Sequence, residues 1–348
     1  MRIRALEALR GNCSDGKVAA RLYEKQDAES WERLVAESWN GTFLHQRKFL
    51  SYHGERFQDL SLILEDGQGR IVGVFPAALN PSREDCVVSH PGLTYGGIVH
   101  AGSLRGDMML EALQAIADAY QAAGLRFLRY KAVPYIYHRV ASADDLYALF
   151  RLGAVRYRCD LSATIDLPFR PRPSKLRRRA LNKAQRAGAR IALGSSYFEP
   201  FWTVLEGNLA TKHGTRPVHT LEEINRLQVM FPKQIECVVG TIKDEVVAGV
   251  VLFCTPRVVH AQYIGSSALG QEAAVPTAVL EYAIEKSKEW GARYFDFGIS
   301  TEDEGRRLNV GLHQFKTSFG AGAVAYEFYE LDLKRRAVND SKRRADGT

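Results

Sequence analysis

The sequence predicts an α/β protein with mixed sheets, built as two copies of one unit in tandem. Three observations carry this. Short strand-like runs alternate with amphipathic helical stretches along the chain. The halves share an order of elements: strand, charged turn, a strand containing Gly-Val (Gly73-Val74, Gly249-Val250), an amphipathic helix, a Gly-x-Arg-aromatic step (Gly124 to Phe127, Gly291 to Tyr294) and a further strand. Between the halves, residues 166–174 (DLPFRPRPS) place three prolines in six residues, which no helix or central strand tolerates. The expected domains are 1–168 and 169–323, with a basic helix at 174–187 and a disordered basic tail at 334–348.

Taken in order, Asp27 can cap a helix whose apolar positions are Trp31, Leu34 and Val35. Thr42 to His53 mixes aromatic and basic residues, including Lys48, and suits a short helix or a binding edge. LSLILE (60–65) and IVGVFPAAL (71–79) form a hairpin around Asp66-Gly67-Gln68-Gly69, and Pro76 makes the end of the second strand an edge or bulge. A helix follows from about Asp107 to Ala123, then a strand at 126–133 and a helix in SADDLYALFRLG. In the second half, the basic helix runs from Ser174 to Ala187, and FEPFWTVLEGNLATKHG is helical to about Lys212. Thr220 and Glu223 make a capping box. Residues 235–242 and 246–254 form a second hairpin, 257–265 a third strand, and Pro276-Thr277 opens a helix stopped at Gly291. The alternating run 324–333 closes the ordered chain.

Composition excludes several classes. The 46% hydrophobic and 25% charged fractions are those of an ordinary soluble globular protein. No apolar run is long enough to span a membrane, and the N-terminus lacks the apolar core of a signal peptide. The five cysteines are scattered, odd in number and never paired at metal spacing, so free thiols in a cytoplasmic setting are expected. The net charge of +7 is concentrated in residues 170–190 and 334–346, which suggests one anionic-ligand site and one solvated tail rather than an evenly basic surface.

The chemistry is expected around residues 294–320, YFDFGISTEDEGRRLNVGLHQFKTSFG. An Asp at the end of an apolar strand, with Ser300, Glu302, Asn309, His313 and Lys316 close behind, must pair its polar groups with each other, with backbone or with a ligand. Asp296 reads either as a structural cap or partner of a nearby Arg, or as a base or orienting group for an acceptor amine. Lys316 reads either as a surface lysine or, beside a glycine-rich turn, as a group suited to an oxyanion or phosphate. Substrate contacts are further expected from Tyr95, Gly96 and Gly97 (a plain turn, or backbone approach to a sugar or phosphate), from Lys48 and Arg177, and from Gln262 and Tyr263. His213 and His219 read either as ligand contacts or as structural histidines. No histidine pair has zinc spacing, so no metal is expected.

The order of these motifs resembles the FemAB-type transferases, built of two GNAT-like acyltransferase domains, and is nearest the GNAT branch found with polysaccharide and cell-envelope genes. The likeness spans roughly residues 28–333. It rests on SHPGLTYGG (89–97), KLRRRALNKAQRAG (175–188), HGTRPVH (213–219), VVHAQYIG (258–265), YFDFGISTE (294–302), the LN-x-GL step (308–312) and FKTSFG (315–320). The resemblance implies transfer of an acyl or aminoacyl group to an amine. Its donors are acyl-CoA or aminoacyl-tRNA, and its acceptors are small molecules or nucleotide- or lipid-linked saccharides. It gives functional weight to Lys316, the lysine of the Phe-Lys-x-x-Phe-Gly step, and lets the strand at 324–333 return to the first domain. Where an acyl-CoA domain carries a glycine-rich turn, this chain reads GSSALGQEAAVPTAVL without the compact glycine spacing; nor is there a long inserted coiled-coil arm. The donor is therefore open. The leading expectation is a cytoplasmic acyltransferase that moves an acetyl or similar group to the amine of an amino sugar or envelope precursor. The alternatives are an aminoacyl-tRNA-dependent transferase and a non-catalytic RNA- or polyanion-binding protein. The sequence sets no oligomeric state.

Overall fold

The computed structural model describes residues 18–335, apart from the side chains of Lys212 and His213. Cys13 and nearly all of the expected basic tail lie outside the described residues. The chain divides into two compact units, one reaching to Cys159 and resuming at Ala325, the other spanning Asp160–Val324.

In the first unit, β1 (Val18–Leu22), β2 (Leu62–Asp66) and β3 (Ile71–Phe75) form an antiparallel sheet with β2 in the middle. The expected hairpin turn is present, with Gly69 at φ +75°, where a side chain would strain the backbone. Helix α1 (Ala28–Glu37) begins at Asp27, yet that carboxylate does not cap it. The forked Arg21 guanidinium takes both of its oxygens, at 2.7 and 2.8 Å, and the Glu24 N–H takes a third bond at 2.8 Å. The Thr42–His53 stretch holds the short α2 (Arg47–Leu50), which buries Phe49 and Leu50. β3 stops just before Pro76. β4 (Ala78–Asn80) and β5 (Arg83–Val88) then pair, and β5 lies parallel to β6 (Phe127–Lys131). Helix α3 (Asp107–Ala122) turns Met109, Leu113, Ile116 and Tyr120 into the core beneath these strands. Helix α4 (Asp144–Arg151) adds Ala148 and Leu149 to that core.

β7 (Val155–Asp166), which the sequence pattern does not single out, passes from the first unit into the second. The basic helix is α5 (Lys175–Arg186), capped by the Ser174 hydroxyl on the Arg177 N–H. After β8 (Arg190–Leu193) come α6 (Phe198–His213) and α7 (Leu221–Met230), the latter with the Thr220/Glu223 capping box formed on both sides. β9 (Ile235–Ile242), β10 (Glu245–Cys254) and β11 (Val258–Ser266) then form an antiparallel meander. A short α8 (Ala268–Glu272) and a long α9 (Val275–Glu289) lead to β12 (Tyr294–Ile299). The strand order in this unit is β7-β12-β11-β10-β9-β8, antiparallel except for β11 and β12. The face of the sheet toward α9 forms the core, with Val279, Leu280, Ala283 and Ile284 against Val250, Leu252, Val259, Phe295 and Phe297. On the other face, α6 lays Phe201 against Gly249, where a Cβ would come within 2.5 Å of the ring. The β13 (Thr301–Glu302) and β14 (Arg307–Leu308) hairpin and α10 (Val310–Thr317) follow β12.

β15 (Gly322–Asp332) begins in the second unit and continues in the first, where Phe328–Asp332 pair with Lys131–Phe127. The internal repeat extends to single residues. β5 and β6 pair in parallel through Cys86/Phe127, Val87/Leu128 and Val88/Arg129. β11 and β12 pair through Val258/Tyr294, Val259/Phe295 and His260/Asp296. Both ladders are equally short, but the residues at their last rung differ.

Candidate functional site

Period-two alternation gathers four polar side chains on one face of the second unit's sheet. Ala163 and Ile165 of β7, Phe295 and Phe297 of β12, and Val259 and Ala261 of β11 belong to the core. Ser162, Thr164, Asp296 and His260 alternate with them and point the other way. The register completes the row, since Thr164 pairs with Asp296 and Asp296 with His260.

Asp296 is wholly buried. Its Oδ1 accepts from Ser162 Oγ (2.5 Å) and Thr164 Oγ1 (2.7 Å), and its Oδ2 lies 2.7 Å from His260 Nδ1. Burial by itself raises the carboxyl pKa. The His260 hydrogen bond, the ring's charge whenever it is protonated, and the two hydroxyls outweigh burial and bring it down to about 2. The group is therefore a carboxylate at any working pH. A buried anion at Nδ1 holds the imidazole proton there and leaves the lone pair on Nε2, which has no hydrogen-bond partner among the described residues. The ladder stops at this pair. β11 runs on to Ser266, while β12 turns at Gly298 (φ +77°). A Cβ at Gly298 would sit 3.3 Å from His260 Cε1, so the glycine keeps the ring edge clear.

Lys316 is the one residue of α10 that the fold buries. Its Nζ donates to Gly298 O (2.9 Å) and Ile299 O (2.6 Å), pinning the turn that ends β12. Burial pulls its pKa down to about 8 against the attraction of Asp296. Asn309 caps α10 by accepting from the Leu312 N–H (3.0 Å) and donates to Glu302 (2.9 Å), so these two residues hold the hairpin to the helix. Ser300 Oγ, His313 Nδ1 and Gln262 Oε1 are buried polar atoms with no hydrogen-bond partner among the described residues. Gln262 is the extra residue of a bulge where Val251 faces Tyr263 and Leu252 faces Ala261. Tyr263 Oη accepts from the His219 N–H (3.2 Å) and lies 2.5 Å from His219 Nδ1; burial pushes its pKa up to about 12. His213 ends α6, and its side chain is outside those described.

Other expected contacts lie elsewhere. Arg177 is buried inside the second unit, its guanidinium 3.3 Å from the Phe319 ring centroid and hydrogen-bonded to Ser318 and Thr277. Lys48, Tyr95, Gly96 and Gly97 belong to the first unit. Lys48 is exposed and Tyr95 is buried. A Cβ at Gly96 would collide with Ser89 O at 2.2 Å, and one at Gly97 with Tyr130 Oη at 2.7 Å, so both glycines serve close packing within that unit. The first unit's version of the polar row is Glu330, Arg129 and Val88, with Arg129 bonded to Glu330 at 2.8 Å. Its ladder end is filled by the chain itself: Ser89 N–H donates to Arg129 O, and Lys131 Nζ holds the carbonyls of His90, Pro91 and Leu93.

Two further features bear on ligands. The β11–α9 turn satisfies part of its backbone on its own chain. The Gly270 N–H is spent on Ser267 Oγ, a Cβ at Gly270 would lie 2.2 Å from Val247 O, and Pro276 brings no N–H to the start of α9. Among the described residues no cluster of His, Cys, Asp or Glu could hold a metal ion. An open groove of about 840 Å³, lined by Glu199 and by α7 from Leu221 to Met230, contains none of the polar row.

A family profile described as an acetyltransferase (GNAT) domain matches residues 173–307, which include His260 and Asp296. No curated protein matches the sequence. Among solved structures, FemX is 12% identical and superposes at a TM-score of 0.62, over 92% of this chain and 98% of its own. L-PGS from Bacillus licheniformis is 13% identical, with a TM-score of 0.58 over 88% and 92% of the two chains. The C-terminal domain assigned to a lysylphosphatidylglycerol synthetase of Agrobacterium fabrum is 12% identical, with a TM-score of 0.59 over 90% and 94%. At such identities the likeness is one of fold. Residues 173–307 match the GNAT acetyltransferase domain profile, and over most of its length the chain shares the fold of FemX.

Proposed function

We propose that residues 169–323 form the catalytic domain and transfer an acyl or aminoacyl group to an amine, with His260 as general base and Asp296 as the residue that positions it. The observation carrying this reading is the buried carboxylate on His260 Nδ1 at the rung where β11 and β12 part. In the step, the amine lone pair attacks the donor carbonyl, whose π electrons move to oxygen. The amine proton goes to His260 Nε2. Collapse of the adduct expels the leaving group, which takes that proton. Positioning of both partners supplies much of the rate, and the base adds about 10²–10⁴-fold. Lys316 fixes the Gly298–Ile299 turn with two N–H groups and keeps a third for the developing oxyanion.

The acceptor we propose is the amine of an amino sugar or envelope precursor. The β11–α9 turn, which lacks a compact glycine spacing, favours keeping aminoacyl-tRNA beside acyl-CoA as a donor, as does the lysyl group in the name of one structural neighbour. The free thiols Cys86, Cys237 and Cys254 support a cytoplasmic setting. No helix among the described residues is long and apolar enough to cross a membrane. The test incubates the protein with labelled acetyl-CoA or aminoacyl-tRNA and a panel of amino sugars and amine-bearing nucleotide sugars. Amide formation with one donor, lowered at least about 10²-fold in His260→Gln, is expected. Absence of transfer from both donors, or wild-type turnover in the variant, overturns the reading; salt-sensitive RNA binding alone would leave the polyanion-binding alternative.

A further inference from the structure

Helix α10 is built inside out. It buries Lys316, while Val310 is 55% and Phe315 37% exposed, and Leu312 is exposed as well. Ile299 and Leu308, just before it, are also open to solvent. Five large apolar side chains within seventeen residues are thus open to solvent, and Leu312 and Phe315, three apart on α10, are neighbours in an apolar patch that a freely soluble surface would not keep uncovered. The patch continues onto α5. Arg177, buried against Phe319 and bonded to Ser318, ties the first turn of α5 to the end of α10, and its neighbour Leu176 is 74% exposed. Beyond Leu176 the outer face of α5 carries Lys175, Arg178, Arg179, Lys183 and Arg186, all exposed. No Asp or Glu occurs from Leu167 to Phe198. The β13–β14 hairpin is nearly neutral, with Arg306 and Arg307 offsetting all but one of Glu302, Asp303 and Glu304.

We propose that this face docks on an anionic lipid bilayer. The apolar side chains of α10 and Leu176 enter the headgroup layer, and the outer face of α5 binds the lipid phosphates. Charge and apolarity select this partner together. A nucleic-acid backbone would satisfy the cations but leave the mainly aliphatic patch in water. A second copy meeting the same face across a two-fold axis would oppose the cations of α5 to themselves. A lipid interface takes both, as it does for basic amphipathic segments in general. The patch adjoins the Gly298–Ile299 turn held by Lys316, so docking would bring the ladder end to the membrane surface.

The test is flotation of the full chain with vesicles of phosphatidylcholine, alone or mixed with phosphatidylglycerol; it reads binding and does not depend on acyl transfer. The protein floats with the mixed vesicles only. Val310→Gln/Leu312→Gln and Arg178→Gln/Arg179→Gln/Lys183→Gln each lower the bound fraction at least about tenfold. All five side chains are exposed, so the thermal melts of both variants match wild type. Four results overturn the proposal. The wild type stays at the bottom of the gradient. The apolar variant floats as wild type does. The chain binds bulk tRNA in a salt-sensitive manner but not vesicles. It elutes as a dimer that Val310→Gln/Leu312→Gln splits.

Discussion

Replacing Asp296 by Asn separates the chemical role of the carboxylate from its role in the fold. The substitution preserves shape and hydrogen-bonding capacity but removes the charge. The carboxyl pKa falls from an ordinary 3.8 to about 2 in the folded protein. Each pKa unit corresponds to about 1.4 kcal/mol, so the ionised form contributes roughly 2 kcal/mol to folding at neutral pH. Because the folded pKa is the lower one, that contribution is present above about pH 4 and is lost as pH falls through about 2. An Asn oxygen can still accept one hydrogen bond from His260 or from the Ser162 and Thr164 hydroxyls. It no longer gives His260 Nδ1 an anionic partner, so the tautomer with the lone pair on Nε2 loses its anchor. Urea unfolding at pH 7 should therefore show a loss of about 2 kcal/mol. Turnover of the amine acceptor should fall about 10²–10⁴-fold. Adding His260→Gln in the same chain should lower the rate little further, since the two residues act as a unit. If Asp296→Asn loses the stability but keeps the turnover, the carboxylate is structural and the proposed mechanism is wrong.

Two other positions give sharp expectations. Lys316→Met orphans the carbonyls of Gly298 and Ile299, so a stability loss of about 1–3 kcal/mol is expected in denaturant titration. Turnover should fall as well, and the decline of the wild-type rate as pH rises through about 8, where the buried ammonium loses its proton, should vanish in the variant. Gly298→Ala forces a side chain into a left-handed backbone and against His260. It should destabilise by about 1–2 kcal/mol and depress turnover by a larger factor than any stability loss explains; unchanged kinetics would mean that the His260 edge is not where the substrate sits.

The sequence pattern reveals Asp296 and Lys316 but hides the other three residues of the polar row, for identifiable reasons. Asp296 stands out because a carboxylate between two phenylalanines on a strand is costly to bury, and Lys316 because of its motif. His260 lies in a recognised strand, but what makes it chemical is a parallel neighbour 36 residues away, and register across a βαβ crossover is not written in local periodicity. Ser162 and Thr164 sit on β7, whose entry through Arg156, Arg158 and Asp160 masks the alternation of Ala163 and Ile165. The glycines at 96 and 97 are conspicuous as glycines, yet close packing on Ser89 and Tyr130 demands them as strongly as a ligand would. Within the basic run, Arg177 and Arg178 look alike; only the helix phase against α9 and α10 buries one and leaves the other in water.

The most direct test of the ladder-end pair is chemical rescue. His260→Gly opens a space the size of the lost ring, and imidazole added to the assay can occupy it beside Asp296. Loss of acyl transfer in this variant, restored in part by imidazole and not restored in a His260→Gly/Asp296→Asn chain, is the predicted result. Acyl transfer at the wild-type rate in His260→Gly without imidazole would contradict the account.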